Sequence, residues 1–125
     1  MNKCSLLFSE TAMDSVPNVV IDEGTFKYVI VEITDGKSKK SIVRGFRACE
    51  YHDDILEEIK PDLLEKKLSF KCTGGGRIYH DSLQKKIEVY GYSQAYGKAD
   101  HELAVKKLSE CFPGYSVSVR QGDHY

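Results

Sequence analysis

The chain has 125 residues, 41% of them hydrophobic and 30% charged, with a formal net charge of −1. That balance suits one soluble domain with one core and argues against a protein whose main task is coating nucleic acid or an anionic membrane. No apolar run approaches the roughly 20 residues of a membrane-spanning helix, and Cys4, Cys49, Cys72 and Cys111 are scattered without a C-x-x-C pair, as expected for reduced thiols of a cytoplasmic protein.

Residues 1–16 lack clear periodicity and are expected to form a flexible lead-in to a domain over 17–125. The short apolar patch near the N-terminus soon meets Glu10 and Asp14, which makes a poor signal peptide. Val16 to Ile21 reads as a short edge segment, since Pro17 cannot donate to a ladder. Thr25 to Thr34 is the strongest strand. Phe26, Tyr28 and Ile30 share one face and Val29, Val31 and Ile33 the other, so both faces expect cover. Lys27 aligns with Val29 and Val31, and either snorkels from the sheet edge or aims into a site. A turn and a basic loop then lead into a second strand, Ser41 to Phe46, paired antiparallel to the first.

Arg44 to Glu58 reads as a strand end, a short connection and a helix entry with His52 at the junction. Asp53 and Asp54 suit the first helical turn, where the positive end of the helix favours carboxylates. The helix is expected to reach Lys67 with Ile55, Leu56, Ile59, Leu63 and Leu64 on one side and a kink or restart at Pro61. Ser69 to Thr73 is a strand, Gly74 to Gly76 a tight turn, and Arg77 to His80 the start of another strand. Lys85 to Tyr90 alternates as a strand. Gly91 to Gly97 is a loop, Ala99 to Cys111 a second helix stopped by Pro113-Gly114, and Tyr115 to Arg120 the last strand. The order implies an α+β fold: a single domain with one mixed sheet of about six strands carrying two helices.

The candidate chemical groups are His52, Lys27, Arg44, Arg77 and the loop at Ser93. Each has a plain structural explanation, as a surface or packing histidine, a strand-end charge or a turn. The glycine run is neither a Walker loop nor a dinucleotide fingerprint, because no G-K-[ST] and no helix follows it directly. The segment Cys72-Thr73-Gly74-Gly75-Gly76-Arg77 is one residue short of a thiolate-phosphatase loop. No Asp/Glu/His cluster has ligand spacing, so no metal or other cofactor is expected. Arginines and backbone amides ahead of a helix together suit an anion such as phosphate.

Gly24-Thr25-Phe26-Lys27-Tyr28-Val29, Ile42-Val43-Arg44-Gly45, Glu50-Tyr51-His52-x-Asp54-Ile55, Gly74-Gly75-Gly76-Arg77-Ile78 and Val89-Tyr90-Gly91-Tyr92-Ser93-x-Ala95-Tyr96-Gly97 occur in this order. In these motifs, spread over roughly residues 17–120, the chain resembles the protein histidine phosphatase family, also called the Janus/Ocnus family. The resemblance implies a small cytoplasmic enzyme that hydrolyses phosphohistidine, and in some cases phospholysine, on protein substrates; the missing ligand cluster and the cationic residues make metal independence the expectation. It places the family's catalytic histidine on His52, its basic phosphate-site residues on Lys27, Arg44 and Arg77, and its phosphate loop on Tyr92, Ser93, Gln94 and Ala95. Phosphohistidine-containing proteins are the implied partners; nucleic acid and membrane are not, and a monomer is expected. The other reading is a non-catalytic phosphoprotein-binding domain that keeps the anion pocket.

Overall fold

In the computed structural model, which describes residues 12–121, the sheet is organised around β2 (Gly24–Thr34). Its order is β1-β3-β2-β4-β5-β6, with β1 Val19–Ile21, β3 Lys39–Gly45, β4 Ser69–Asp81, β5 Lys86–Tyr90 and β6 Ser116–Val119. The central pairs are antiparallel, while β1 on β3 and β6 on β5 are parallel, so the sheet is mixed. Two helices, α1 (His52–Glu65) and α2 (His101–Cys111), complete the α+β domain.

The alternation of β2 feeds two cores. Phe26, Tyr28 and Ile30 cluster with Ala104, Leu108 and Cys111 of α2. Val29, Val31 and Ile33 cluster with Ile55, Ile59 and Leu63 of α1. Each such fully buried side chain contributes about 1.5–3 kcal/mol from burial alone, which fixes both helices to their faces. Of the expected inward residues of α1, Leu64 instead faces solvent, at 54% exposure.

Three further expectations are corrected. Met13 and Val16 are buried in the α1-side core, so the end of the expected lead-in is packed; residues 1–11 lie outside the described residues. α1 runs unbroken through Pro61 without a restart, because Pro61 and Glu57 are both on the exposed side, where water can satisfy the freed carbonyl. The run Gly74 to Gly76 is not a turn. β4 passes straight through it as one 13-residue strand, with a register shift against β2 at Ile30/Val31. The strand lost by this merger is replaced by β1, so the count of six rests on different elements. The glycines are required for closeness: a Cβ on Gly76 would lie 2.5 Å from the Tyr90 carbonyl oxygen and 2.8 Å from Cε1 of His101.

Candidate active site

α1 begins at His52 because Tyr51 is extended (φ −123°, ψ 156°) and the Asp54 carboxylate accepts the Tyr51 N–H at 3.0 Å. The amides of His52 and Asp53 then have no acceptor inside the helix, as first-turn geometry dictates. The buried His52 ring folds over β4, with Nε2 3.0 Å from the Gly76 carbonyl oxygen. A carbonyl only accepts, so Nε2 carries a proton and Nδ1 is the bare nitrogen of the neutral ring. Gly75 leaves room for this ring: a Cβ there would meet His52 Cδ2 at 2.6 Å.

The loop 91–97 faces the helix start. Gly91 (φ 75°) and Gly97 (φ 84°) supply left-handed backbone at its two ends. Ser93 and Gly97 exchange N–H···O bonds of 3.1 and 2.8 Å, and the Ser93 hydroxyl accepts from the Tyr96 amide at 3.1 Å. The Gly75 amide donates to the Gly97 carbonyl at 3.0 Å, which ties the loop to β4. Among the described residues, the amides of Gln94 and Ala95 meet no protein acceptor.

Between helix and loop lies a recess of about 290 Å³ lined by Lys27, Tyr51, His52, Asp53, Ser93, Gln94 and Ala95. Open amides at a helix start, open amides in a tight loop and a lysine are the donors that anion binding calls for. Lys27 lines this recess and is half-buried. Arg77 pairs with Lys27 across the β2–β4 ladder, on the same face. Its charge acts on His52, but it does not line the recess. Tyr92 is 44% exposed and stands outside the lining, just ahead of Ser93.

Arg44 is not part of this recess. It shares the face of its β2 partner Val29 but lies under the other flank of α1, in a separate cavity of about 310 Å³ with Pro17, Glu58 and Asp62. Its Nη1 and Nη2 donate to the carbonyls of Val43 and Pro17, each at 2.9 Å. Burial lowers its pKa to about 10, opposed by the charge of Asp62. Arg44 therefore holds the entering chain to β3.

Burial also pushes the His52 pKa below its ordinary value. The charges of Lys27 and Arg77 add to this, while the Gly76 bond and Asp53 oppose it. The bare Nδ1 is thus kept available near neutral pH. Cys72 is half-buried and its pKa is raised by burial, so its thiol is not activated. Among the described residues, no group of three or more His, Cys, Asp or Glu side chains is arranged to hold a metal ion, and no helix is long and apolar enough to cross a membrane.

Sequence reading did not name Tyr51 and Asp53 of the recess lining, and it also missed a supporting residue behind the loop. On the α2 face, His101 Nε2 is 2.9 Å from the Gly91 carbonyl, and its Nδ1 is 2.6 Å from the buried Tyr28 hydroxyl. Nε2–H donates to the carbonyl and Nδ1 accepts from Tyr28, so His101 pins the start of the loop from behind. The one local signal was Asp100, whose side chain caps α2 by accepting the Leu103 amide.

The Janus/Ocnus family profile matches residues 13–116, which takes in every residue of the recess. The chain belongs to the Janus/Ocnus family. Its relatives include the 14 kDa phosphohistidine phosphatase of Sus scrofa, 41% identical over 111 residues, covering 82% of this chain and 88% of the relative. The protein of the same name from Homo sapiens is 40% identical over 111 residues, 82% of this chain and 89% of the relative. The sex-regulated protein janus-A of Drosophila melanogaster is 42% identical over 113 residues, 89% of this chain and 84% of the relative. The Janus/Ocnus match starts at Met13, the first buried residue of the α1-side core among the described residues.

Proposed function

We propose that this Janus/Ocnus protein is a metal-independent phosphohistidine phosphatase acting on phosphorylated proteins in the cytoplasm. The observation that carries the reading is His52: its Nε2–H is committed to Gly76, so its bare Nδ1 belongs to a recess built from anion donors. The names of the mammalian relatives support the same substrate.

The phosphoryl oxygens lie against the amides of the helix start and of Gln94 and Ala95, with Lys27 adding charge. Water attacks phosphorus and passes a proton to His52 Nδ1, forming the new P–O bond. The P–N bond breaks and its electron pair goes to the departing imidazole nitrogen. The substrate ring, protonated on its other nitrogen, leaves as neutral imidazole. So good a leaving group needs little covalent help, and positioning with charge stabilisation supplies most of the rate. General-base help adds about 10²–10⁴-fold.

Phosphate release from a phosphohistidine peptide tests the reading, with His52→Ala losing at least about 100-fold while phosphate still binds. EDTA leaves the rate unchanged if the cationic donors suffice. Rapid quenching with labelled substrate separates the one-step path from transfer to His52 itself: a phosphoenzyme that forms and decays at the turnover rate overturns the general base. A non-catalytic phosphoprotein binder would need the cations but no bare imidazole nitrogen, and would release no phosphate.

A further inference from the structure

One wall of the recess does not suit an anion. The Asp53 carboxylate lines it, although every other charged or donor group there favours phosphate. Its Oδ1 accepts a short hydrogen bond from the Tyr96 hydroxyl, which spans from the loop to the first turn of α1. Its Oδ2 makes no hydrogen bond among the described residues. The carboxylate is therefore aimed by Tyr96 and still has one oxygen to offer. Its charge is felt by His52, Cys72 and Tyr96, with Lys27, Arg77 and Glu57 the other charges around this group.

A carboxylate in a phosphate site costs anion affinity unless the substrate also brings a cation. A phosphoryl group on imidazole does so when the ring is protonated on its other nitrogen, which is the form whose P–N bond breaks readily. A phosphate ester brings none: its P–O bond breaks with negative charge growing on the leaving oxygen. We propose that Asp53, positioned by Tyr96, is the residue that selects the leaving group, pairing with the protonated nitrogen base of a phosphoramidate and repelling the oxygen leaving group of an ester. The site is then bipolar, with the amides and Lys27 on the phosphoryl group and Asp53 on the leaving ring. This rests on the phosphatase reading above and adds a selection rule to it.

Asp53→Asn isolates the charge, because the amide oxygen can still accept from Tyr96 and the side chain keeps its size. The variant is compared with the intact protein on phosphohistidine and on p-nitrophenyl phosphate. Where ester turnover is below detection, the inhibition constant of the ester against phosphohistidine is used. At an exposed position each effect is about threefold, a loss on the P–N substrate and a gain on the ester, so the ratio of kcat/KM values falls about tenfold. The alkaline limb of kcat/KM for phosphohistidine also moves to lower pH, since Asp53 no longer helps the substrate ring keep its proton. Glu65→Gln removes a charge at the far end of α1 and leaves the ratio unchanged. A ratio unmoved in Asp53→Asn, or moved as much by Glu65→Gln, overturns leaving-group selection while the phosphatase reading stands. If the intact protein releases no phosphate from phosphohistidine, both fall together.

Discussion

The His52 imidazole and the Gly76 carbonyl are joined by a 3.0 Å hydrogen bond that decides which ring nitrogen can act. The bond is possible because Gly75, beside it, has no side chain. Gly75→Ala puts a methyl group 2.6 Å from Cδ2 and 2.9 Å from Nε2 of His52, with the Tyr28 carbonyl at 3.0 Å behind it. The imidazole must swing out. The expected result is a loss of about 1–3 kcal/mol of stability and of at least about 100-fold in kcat, the low end of general-base help. Denaturant melts and turnover of the folded fraction check both; full activity would show that the Gly76 bond does not orient the base.

The depressed pKa of His52 gives the acid limb a sign. The base works unprotonated, so kcat/KM for phosphohistidine holds as pH is lowered past about 6.5, the ordinary histidine value, and falls only below it. Removing Lys27, one of the charges that lowers this pKa, moves the limb back toward ordinary histidine. A Lys27→Met pH profile with an unmoved limb would contradict this.

Lys27 and Arg44 are both basic residues of the same sheet face, yet they should fail in opposite ways. Lys27→Ala removes a charge from the recess, weakening binding of inorganic phosphate by about 1.5–3 kcal/mol with little change in Tm. Arg44→Ala removes the bonds to Pro17 and Val43 and enlarges a cavity. It should cost about 2–4 kcal/mol of stability while the folded protein still binds phosphate. Isothermal titration beside thermal melts separates the two; loss of phosphate binding in well-folded Arg44→Ala would return that residue to the site.

His52 and His101 are both buried with lowered pKa values, in each case chiefly through burial. The unfolded chain therefore takes the protons first. The stability they contribute is fully present above about pH 6.5 and is lost as pH falls toward the folded values. Denaturant unfolding should give a lower midpoint at pH 5.5 than at pH 7.5, and His101→Gln should flatten that slope. Tyr28→Phe, which removes the donor to His101 Nδ1, should cost about 1–3 kcal/mol at either pH.

Much of this was legible in the chain. Alternation along Thr25–Thr34 gave both faces of β2, and the acidic pair after His52 marked the helix entry. Local pattern does not carry what depends on the opposite layer. Gly74 to Gly76 has turn chemistry, but the need it meets is close approach, of the Lys98–Ala99 backbone at Gly74, His52 at Gly75 and His101 at Gly76. Alternation placed Lys27 on the face of Val29 and Val31, where the β2–β3 register also puts Arg44. It could not say that α1 would cross between them and give each its own cavity. Asp53 was visible as a good first-turn residue, and its partner Tyr96 is 43 positions away.

At Gly75 and Gly76 the sheet has almost no thickness. One histidine lies against it from above and another from below, with a single strand of bare backbone between them. Elsewhere the sheet insulates its two sides with a layer of side chains, so a change under α2 would be absorbed there. Here it would pass through. Substitutions on the hidden side, at His101 or Tyr28, should therefore alter chemistry at a surface they never touch, and a search for activity-changing variants confined to the walls of the recess would miss them.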